Sequence, residues 1–224
     1  MRSTRPSSRT PKRVAAELLA ATIALAGASV VMAAPAAGAA SCSDVDVVVA
    51  RGTGEPGALG VIVGDPVFSA VRGKLEGKSV SSYAVDYPAS LATDSASKGN
   101  KDLVEHVTNQ AAACPGQRFV LIGYSQGANV VGNSVGVSSE GAVVGGPIVA
   151  TIPADLGSKV AALVVFGAPI AKRGEHITGE YGDRTKEFCA KGDVICEPGG
   201  GTMFPHLGYG RNAGEAAEFV AGKV

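Results

Sequence analysis

Ser125 stands in Gly123-Tyr124-Ser125-Gln126-Gly127, directly after the apolar run Phe119 to Ile122 and directly before a segment with helical patterning. A serine at such a strand-to-helix junction is set on a tight turn with its hydroxyl presented outward, where it can attack a carbonyl carbon. The pentapeptide is a weak signal by itself, because the chain carries 31 glycines. A serine hydroxyl is also a poor nucleophile near pH 7. It needs a base, normally a histidine oriented by a carboxylate.

The chain has three histidines. His106 falls on an expected helix ahead of Ser125, where the chain order Ser, Asp, His would not put the base, and reads as a solvated helix position. His176 follows Lys172-Arg173-Gly174 and reads as a surface loop residue. His206 is a lone polar group in Met203-Phe204-Pro205-His206-Leu207-Gly208-Tyr209 and is the candidate base, its bland alternative being a half-buried structural histidine. For the acid, Asp193 lies inside Cys189-Ala190-Lys191-Gly192-Asp193-Val194-Ile195-Cys196, and a disulfide there would hold the carboxylate rigidly. Rigidity suits an acid whose task is orientation. Its alternative is a turn aspartate after Gly192. Asp183, in the polar run Glu180 to Asp183, reads as a solvated turn. The order Ser125, Asp193, His206 is that of an α/β-hydrolase.

These residues need a sheet to bring them together, and the elements that would build it alternate along the chain. Strands are expected at Asp46–Arg51, Val80–Tyr87, Phe119–Ile122 and Val160–Phe166, with a short fifth at Phe188–Ala190. Helices are expected at Pro66–Leu75, Ser97–Ala113, Gln126–Ser134 and Ala213–Gly222, the last with a capping box from Asn212 and Glu215. Strand-helix alternation implies parallel strands joined by helical crossovers, and apolar runs such as VVVA and LVVF suit strands covered on both faces. Gly199-Gly200-Gly201 reads as a loose loop.

The 224 residues divide unevenly. Arg2, Arg5, Arg9, Lys12 and Arg13 precede an Ala-rich stretch without charge from Leu18 to Ser43, which ends in Ala37-Gly38-Ala39-Ala40. Residues 1–40 therefore read as a secretory signal peptide, with an uncleaved anchor helix as the competing reading, and residues 41–224 as one domain. Without the leader, 15 Lys+Arg stand against 19 Asp+Glu, a net charge of −4. Nothing there suggests nucleic acid as a partner. No stable membrane anchor is expected after cleavage. Four cysteines fit an oxidising compartment and allow three pairings, among which sequence does not choose. Cys189 and Cys196 are close enough to clamp a short loop, which would leave Cys42 with Cys114.

Ala50-Arg51-Gly52-Thr53-Gly54-Glu55, Tyr87-Pro88-Ala89-Ser90, Gly123-Tyr124-Ser125-Gln126-Gly127, Cys189-x3-Asp193-x2-Cys196 and His206-Leu207-x-Tyr209 occur in that order. Together they resemble the cutinase family, above all the cutinase-like esterases of actinobacteria, over residues 42 to 224. The resemblance implies a small α/β-hydrolase with a mostly parallel five-stranded sheet, helices on both faces and little or no lid. It implies Ser125 as nucleophile, Asp193 as acid, His206 as base, and Thr53 and Gln126 as the oxyanion-hole positions. It also implies disulfides Cys42–Cys114 and Cys189–Cys196, and no metal or cofactor. Physical chemistry agrees for Gln126, which follows the nucleophile at a helix start where N–H groups lack intrahelical partners. Thr53 could equally be an ordinary turn residue. Met203 and Phe204 could line an acyl groove or pack internally. Two departures stand out: Pro198-Gly199-Gly200-Gly201 replaces a more apolar stretch of fungal cutinases, which argues against long cutin-like acyl chains, and Ala168 stands where the family often has Asp.

The expected function is a secreted or wall-associated monomeric serine esterase acting on short or medium acyl esters, with lipids or polyesters as larger substrates. An acetylxylan esterase of the same fold is the runner-up. From another class, the fold could serve as an inactive cell-surface binding or antigen-like module.

Overall fold

The computed structural model describes residues 42–224, so the expected leader at residues 1–40 lies outside the described residues. Five strands, β1 (Val45–Ala50), β2 (Val80–Ala84), β3 (Arg118–Tyr124), β4 (Val160–Phe166) and β5 (Thr185–Phe188), form one sheet in the order β2-β1-β3-β4-β5. Every adjacent pair is parallel. The crossovers contain α1 (Gly64–Lys74), α2 (Ser95–Ala113) and α3 (Gln126–Ser134), and α4 (Ala213–Ala221) closes the chain.

Successive strand residues point to opposite faces of a sheet. In β1, Val45, Val47 and Val49 join Val67 and Val71 of α1 and Ala216, Ala217 and Val220 of α4 in one core. Val48 and Ala50 join Leu103, Val104 and Val107 of α2 and Ala128, Val130 and Val131 of α3 in the other. Both faces are thus dry, which is why β1, β3 and β4 show no polar alternation. Because β2 lies on one side of β1 and β3 on the other, the winding direction reverses between β1 and β3. Ligands bind outside the carboxyl ends of strands at such a switch point. The register pairs Ala50 with Gly123, which sets Arg51-Gly52-Thr53 and Tyr124-Ser125-Gln126 side by side at that end.

Several expectations need correction. β2 stops at Ala84 instead of Tyr87, just short of where its partner β1 runs out at Ala50. β5 runs from Thr185 to Phe188, starting three residues before the expected strand and sharing only Phe188 with it. The capping box of α4 does not form, because a 3-10 helix, Pro205–Asn212, runs straight into it and Asn212 makes no side-chain cap. His106 is not a solvated position. Its Nε2 lies 2.7 Å from Oδ2 of buried Asp46, and its ring stacks on Tyr83 at 3.5 Å. Both disulfides expected from the family resemblance are present, Cys42–Cys114 with Cα atoms 5.6 Å apart and Cys189–Cys196 at 5.8 Å.

Candidate active site

The two glycines around Ser125 are there for steric reasons. A Cβ on Gly127 would run into the carbonyl oxygen of Ala50, and one on Gly123 would lie 2.5 Å from the carbonyl oxygen of Gly127. With both bare, α3 tucks against the end of β1 and the turn between β3 and α3 becomes very tight. Ser125 sits on it at φ 55°, ψ −116°, a region that side chains disfavour. Its N–H is held by the carbonyl of Phe166 at 2.9 Å.

Asp193 and His206 are both buried, and His206 Nδ1 donates to Asp193 Oδ2 at 2.8 Å. Tyr209 donates its hydroxyl to the same oxygen at 2.6 Å while accepting from Ala190 N–H at 2.8 Å. Ile195 N–H donates to the other carboxylate oxygen at 2.8 Å. Burial first, and then the bond to Asp193, push the Tyr209 hydroxyl well above the ordinary tyrosine range, so it stays a donor. The His206 backbone is tied down as well, its carbonyl accepting from Tyr124 at 2.9 Å. The far ring nitrogen, Nε2, is buried without a partner. Gly167, at φ 57°, passes under the ring so closely that a Cβ would meet His206 Nδ1 at 2.7 Å.

The glycines after Pro198 do not form a loose loop. Gly201 and Thr202 donate to the carbonyl of Gly192, Val194 donates back to Thr202, and a Cβ on Gly200 would strike the carbonyl of Asp193. Gly200 thus lets the 197–202 segment close over the Asp193 backbone. With the disulfide, this fixes the carboxylate.

Thr53, Ser125 and His206 line one cleft of about 390 Å³, together with Glu55, Ile62, Leu91, Val143, Val144, Ile195, Met203 and Leu207. Thr53 Oγ1 is buried and unpartnered. Gln126 begins α3, and its side chain is used structurally, Nε2 donating to the carbonyls of Ser90 at 2.9 Å and Val144 at 3.3 Å. Of the two residues expected to contact substrate, Met203 lines the cleft, whereas Phe204 is 84% exposed and lies outside it. His176 and Asp183 are absent from the cleft lining, His176 pairing with Glu187 at 2.6 Å.

Sequence reading missed four contributors. Tyr209 was seen as part of a motif without a role. Glu55 was seen likewise, although its buried carboxylate accepts from Gly52, Ile62 and Val63. Asn129 and Asn133, fully buried on α3, hold the irregular 139–147 wall by donating to the carbonyls of Val143 and Gly146 at 3.0 Å. Polar residues on the buried face of the helix behind Ser125 are the available signal. That wall carries Val144 at φ 47°, so the non-glycine residues with positive φ among the described residues, Ala89, Ser125 and Val144, all fall in or beside the cleft loops.

The sequence profile described as Cutinase matches residues 41–224. A cutinase of Kineococcus radiotolerans is 45% identical over 193 residues, covering 83% of this chain and 63% of the relative, so the chain spans somewhat less than two thirds of that protein. A phospholipase of Mycobacterium tuberculosis is 37% identical over 215 residues, 94% of this chain and 90% of its own. Among solved structures, a Trichoderma reesei cutinase in complex with a phosphonate inhibitor is 33% identical, with a TM-score of 0.65 over 81% of this chain and 76% of that one. The catalytic core of an acetyl xylan esterase from Trichoderma reesei shares the fold at 22% identity, with a TM-score of 0.67 over 82% of this chain and 100% of that one.

Proposed function

The chain belongs to the cutinase family of carboxylic ester hydrolases, and from that premise we propose that it is a secreted serine esterase working through an acyl-enzyme on Ser125. The hydrogen bond from His206 Nδ1 to Asp193 carries this reading, because it leaves Nε2 as the one ring nitrogen able to accept a proton. His206 Nε2 takes the Ser125 proton as Oγ bonds to the ester carbonyl carbon. The resulting oxyanion receives hydrogen bonds from the N–H of Gln126 and from the N–H and hydroxyl of Thr53. Collapse breaks the bond to the alcohol, which leaves with the proton from Nε2. Water then repeats the sequence on the acyl-enzyme and releases the acid.

Apart from Glu55, whose oxygens are occupied by main-chain N–H groups, the cleft lining carries no carboxylate, lysine or arginine. Ile62, Leu91, Val143, Ile195, Met203 and Leu207 suit an acyl chain of short or medium length. Leu91, Val143 and Leu207 are more than half exposed, so the cleft opens directly to solvent, and an apolar rim of this kind fits contact with a lipid or polyester surface. That lining favours apolar acyl esters over the acetylxylan reading, and the full set of site residues weighs against an inactive binding module. Two disulfides suit an extracellular setting, and the protein is read as a monomer.

Ser125→Ala should abolish hydrolysis of p-nitrophenyl butyrate while leaving the fold intact, and a phosphonate, the inhibitor class bound in the Trichoderma reesei relative, should label Ser125 of the unaltered protein. Retained turnover in the variant, or no adduct, would overturn the proposal. Faster release of acetate from acetylated xylan than of octanoate from p-nitrophenyl octanoate would shift it to the acetylxylan esterase.

A further inference from the structure

One buried charge in the cleft wall has no part in the steps above. Glu55 is 6% exposed, and among the described residues no cation pairs with it. A buried carboxylate is costly unless hydrogen-bonded. Here every bond goes to the main chain on the two sides of one loop: Oε2 accepts from Gly52 N–H at 2.7 Å, and Oε1 from Ile62 N–H at 2.6 Å and Val63 N–H at 3.3 Å.

We propose that Glu55 is the positioning residue of the oxyanion hole, a clamp that holds the Thr53 turn at the height of the nucleophile; this rests on the reading of Thr53 as an oxyanion donor. Residues 52 to 55 form a turn that Glu55 closes twice. Its own N–H donates to the carbonyl of Gly52 at 3.1 Å, and its side chain returns to the N–H of that same residue. Thr53 and Gly54 are held between the two bonds. The second carboxylate oxygen then fastens this turn to the residues entering α1, which packs into the core beneath.

The surrounding chain is shaped to admit the clamp. Gly60 passes at φ 99°, where a Cβ would lie 2.5 Å from Glu55 Oε2, and Gly52 lies against the Tyr124 ring, where a Cβ would be 2.7 Å from Cδ1. From the other side, Gly54 N–H donates to the carbonyl of Ala89 at 2.7 Å, and Ala89 holds a positive φ of 47°. The turn is therefore held around Thr53 by both Glu55–Gly52 bonds, by the Glu55 side chain on Ile62 and Val63, and by Gly54 N–H on Ala89. An amide in place of the carboxylate keeps one acceptor. Its NH2 group would face an N–H donor on the other side, so one half of the clamp opens. Misplacement of a donor by about 1 Å costs on the order of 100-fold in rate.

The test is a double-mutant cycle on kcat and KM for p-nitrophenyl butyrate with Thr53→Ala, Glu55→Gln and the pair, accompanied by circular dichroism and thermal melting. Glu55→Gln is expected to fold, to lose about tenfold to 100-fold in kcat, and to leave KM within about twofold, the split expected of an interaction made in the transition state. The pair should lose less than the product of the two single losses, because part of what Glu55→Gln misplaces is the hydroxyl that Thr53→Ala has already removed. If Thr53→Ala leaves kcat unchanged, the Thr53 hydroxyl is not an oxyanion donor and the proposal, which rests on that reading, falls with it. If Thr53→Ala is slow but Glu55→Gln keeps its kcat, or the losses simply multiply, Glu55 is structural and the proposal alone is overturned. Glu55→Asp, one methylene too short to reach both sides, carries the same cycle should Glu55→Gln not fold.

Discussion

Tyr209 and His206 meet on a single oxygen, Oδ2 of Asp193, the phenol at 2.6 Å and the imidazole Nδ1 at 2.8 Å. A carboxylate oxygen engaged by two donors on one 3-10 helix, Pro205–Asn212, fixes the imidazole plane relative to the helix that carries it.

Removing the phenol should therefore loosen the imidazole without touching substrate. Tyr209→Phe is expected to lower kcat by about tenfold with KM little changed, and to cost about 1–2 kcal/mol because Ala190 N–H loses its acceptor. Steady-state kinetics paired with urea unfolding measures both. A change in KM alone would contradict the assignment.

Gly167 faces the other side of the same ring. Gly167→Ala places a methyl 2.7 Å from His206 Nδ1 and 2.5 Å from Cε1, in a backbone conformation at φ 57° that alanine also disfavours. The ring must move, and with it Nε2. Activity on p-nitrophenyl esters should drop by on the order of 100-fold, and phosphonate labelling of Ser125 should slow in parallel.

The Cys189–Cys196 bridge encloses Asp193. Replacing both cysteines by serine should destabilise the fold by about 2.5 kcal/mol in the chain-entropy account. Thermal melting reads that loss. Because Ile195 N–H and the 197–202 segment still hold the Asp193 loop, kcat should fall less than in Tyr209→Phe.

Alkaline pH should unfold the protein through its tyrosines. Burial, followed by the bond to Asp102, raises Tyr83 to about 12 from an ordinary value near 10. Between these values the unfolded chain has lost a proton that the folded chain keeps, so stability falls as pH rises through the window from about 10 to 12. Tyr83→Phe should flatten the fall, measured by urea midpoints across that range. The buried Tyr87, Tyr124 and Tyr209 hydroxyls are raised in the same direction and keep part of the slope.

How much was legible in the sequence differs from residue to residue. The strand at Val160–Phe166 and the helix at Gln126–Ser134 were readable to the residue, because an unbroken apolar run and a glycine-bounded junction are local signals. The capping box at Asn212 was read from an equally local pattern and is absent, because the preceding 3-10 helix already supplies the turn. His106 looked solvated because helical spacing does not reveal which strand lies opposite. Asp46, sixty residues earlier, decides its environment. Gly200 looked like slack and is a point of closest approach, a property that depends on the backbone passing over it.

By itself, then, the sequence determined the parallel fold, the family, the order Ser125, Asp193, His206 and the cysteine-bounded loop, since all of these rest on patterns within short segments or on motifs kept in order. Tertiary structure alone decided what supports them: Tyr209 on Asp193, Glu55 under the Thr53 turn, Gly167 beneath the imidazole, and the asparagines of α3 holding the 139–147 wall. Hydrogen bonds and close contacts between residues tens of positions apart depend on distance in space, and chain order does not encode that distance until the sheet brings the strand ends together.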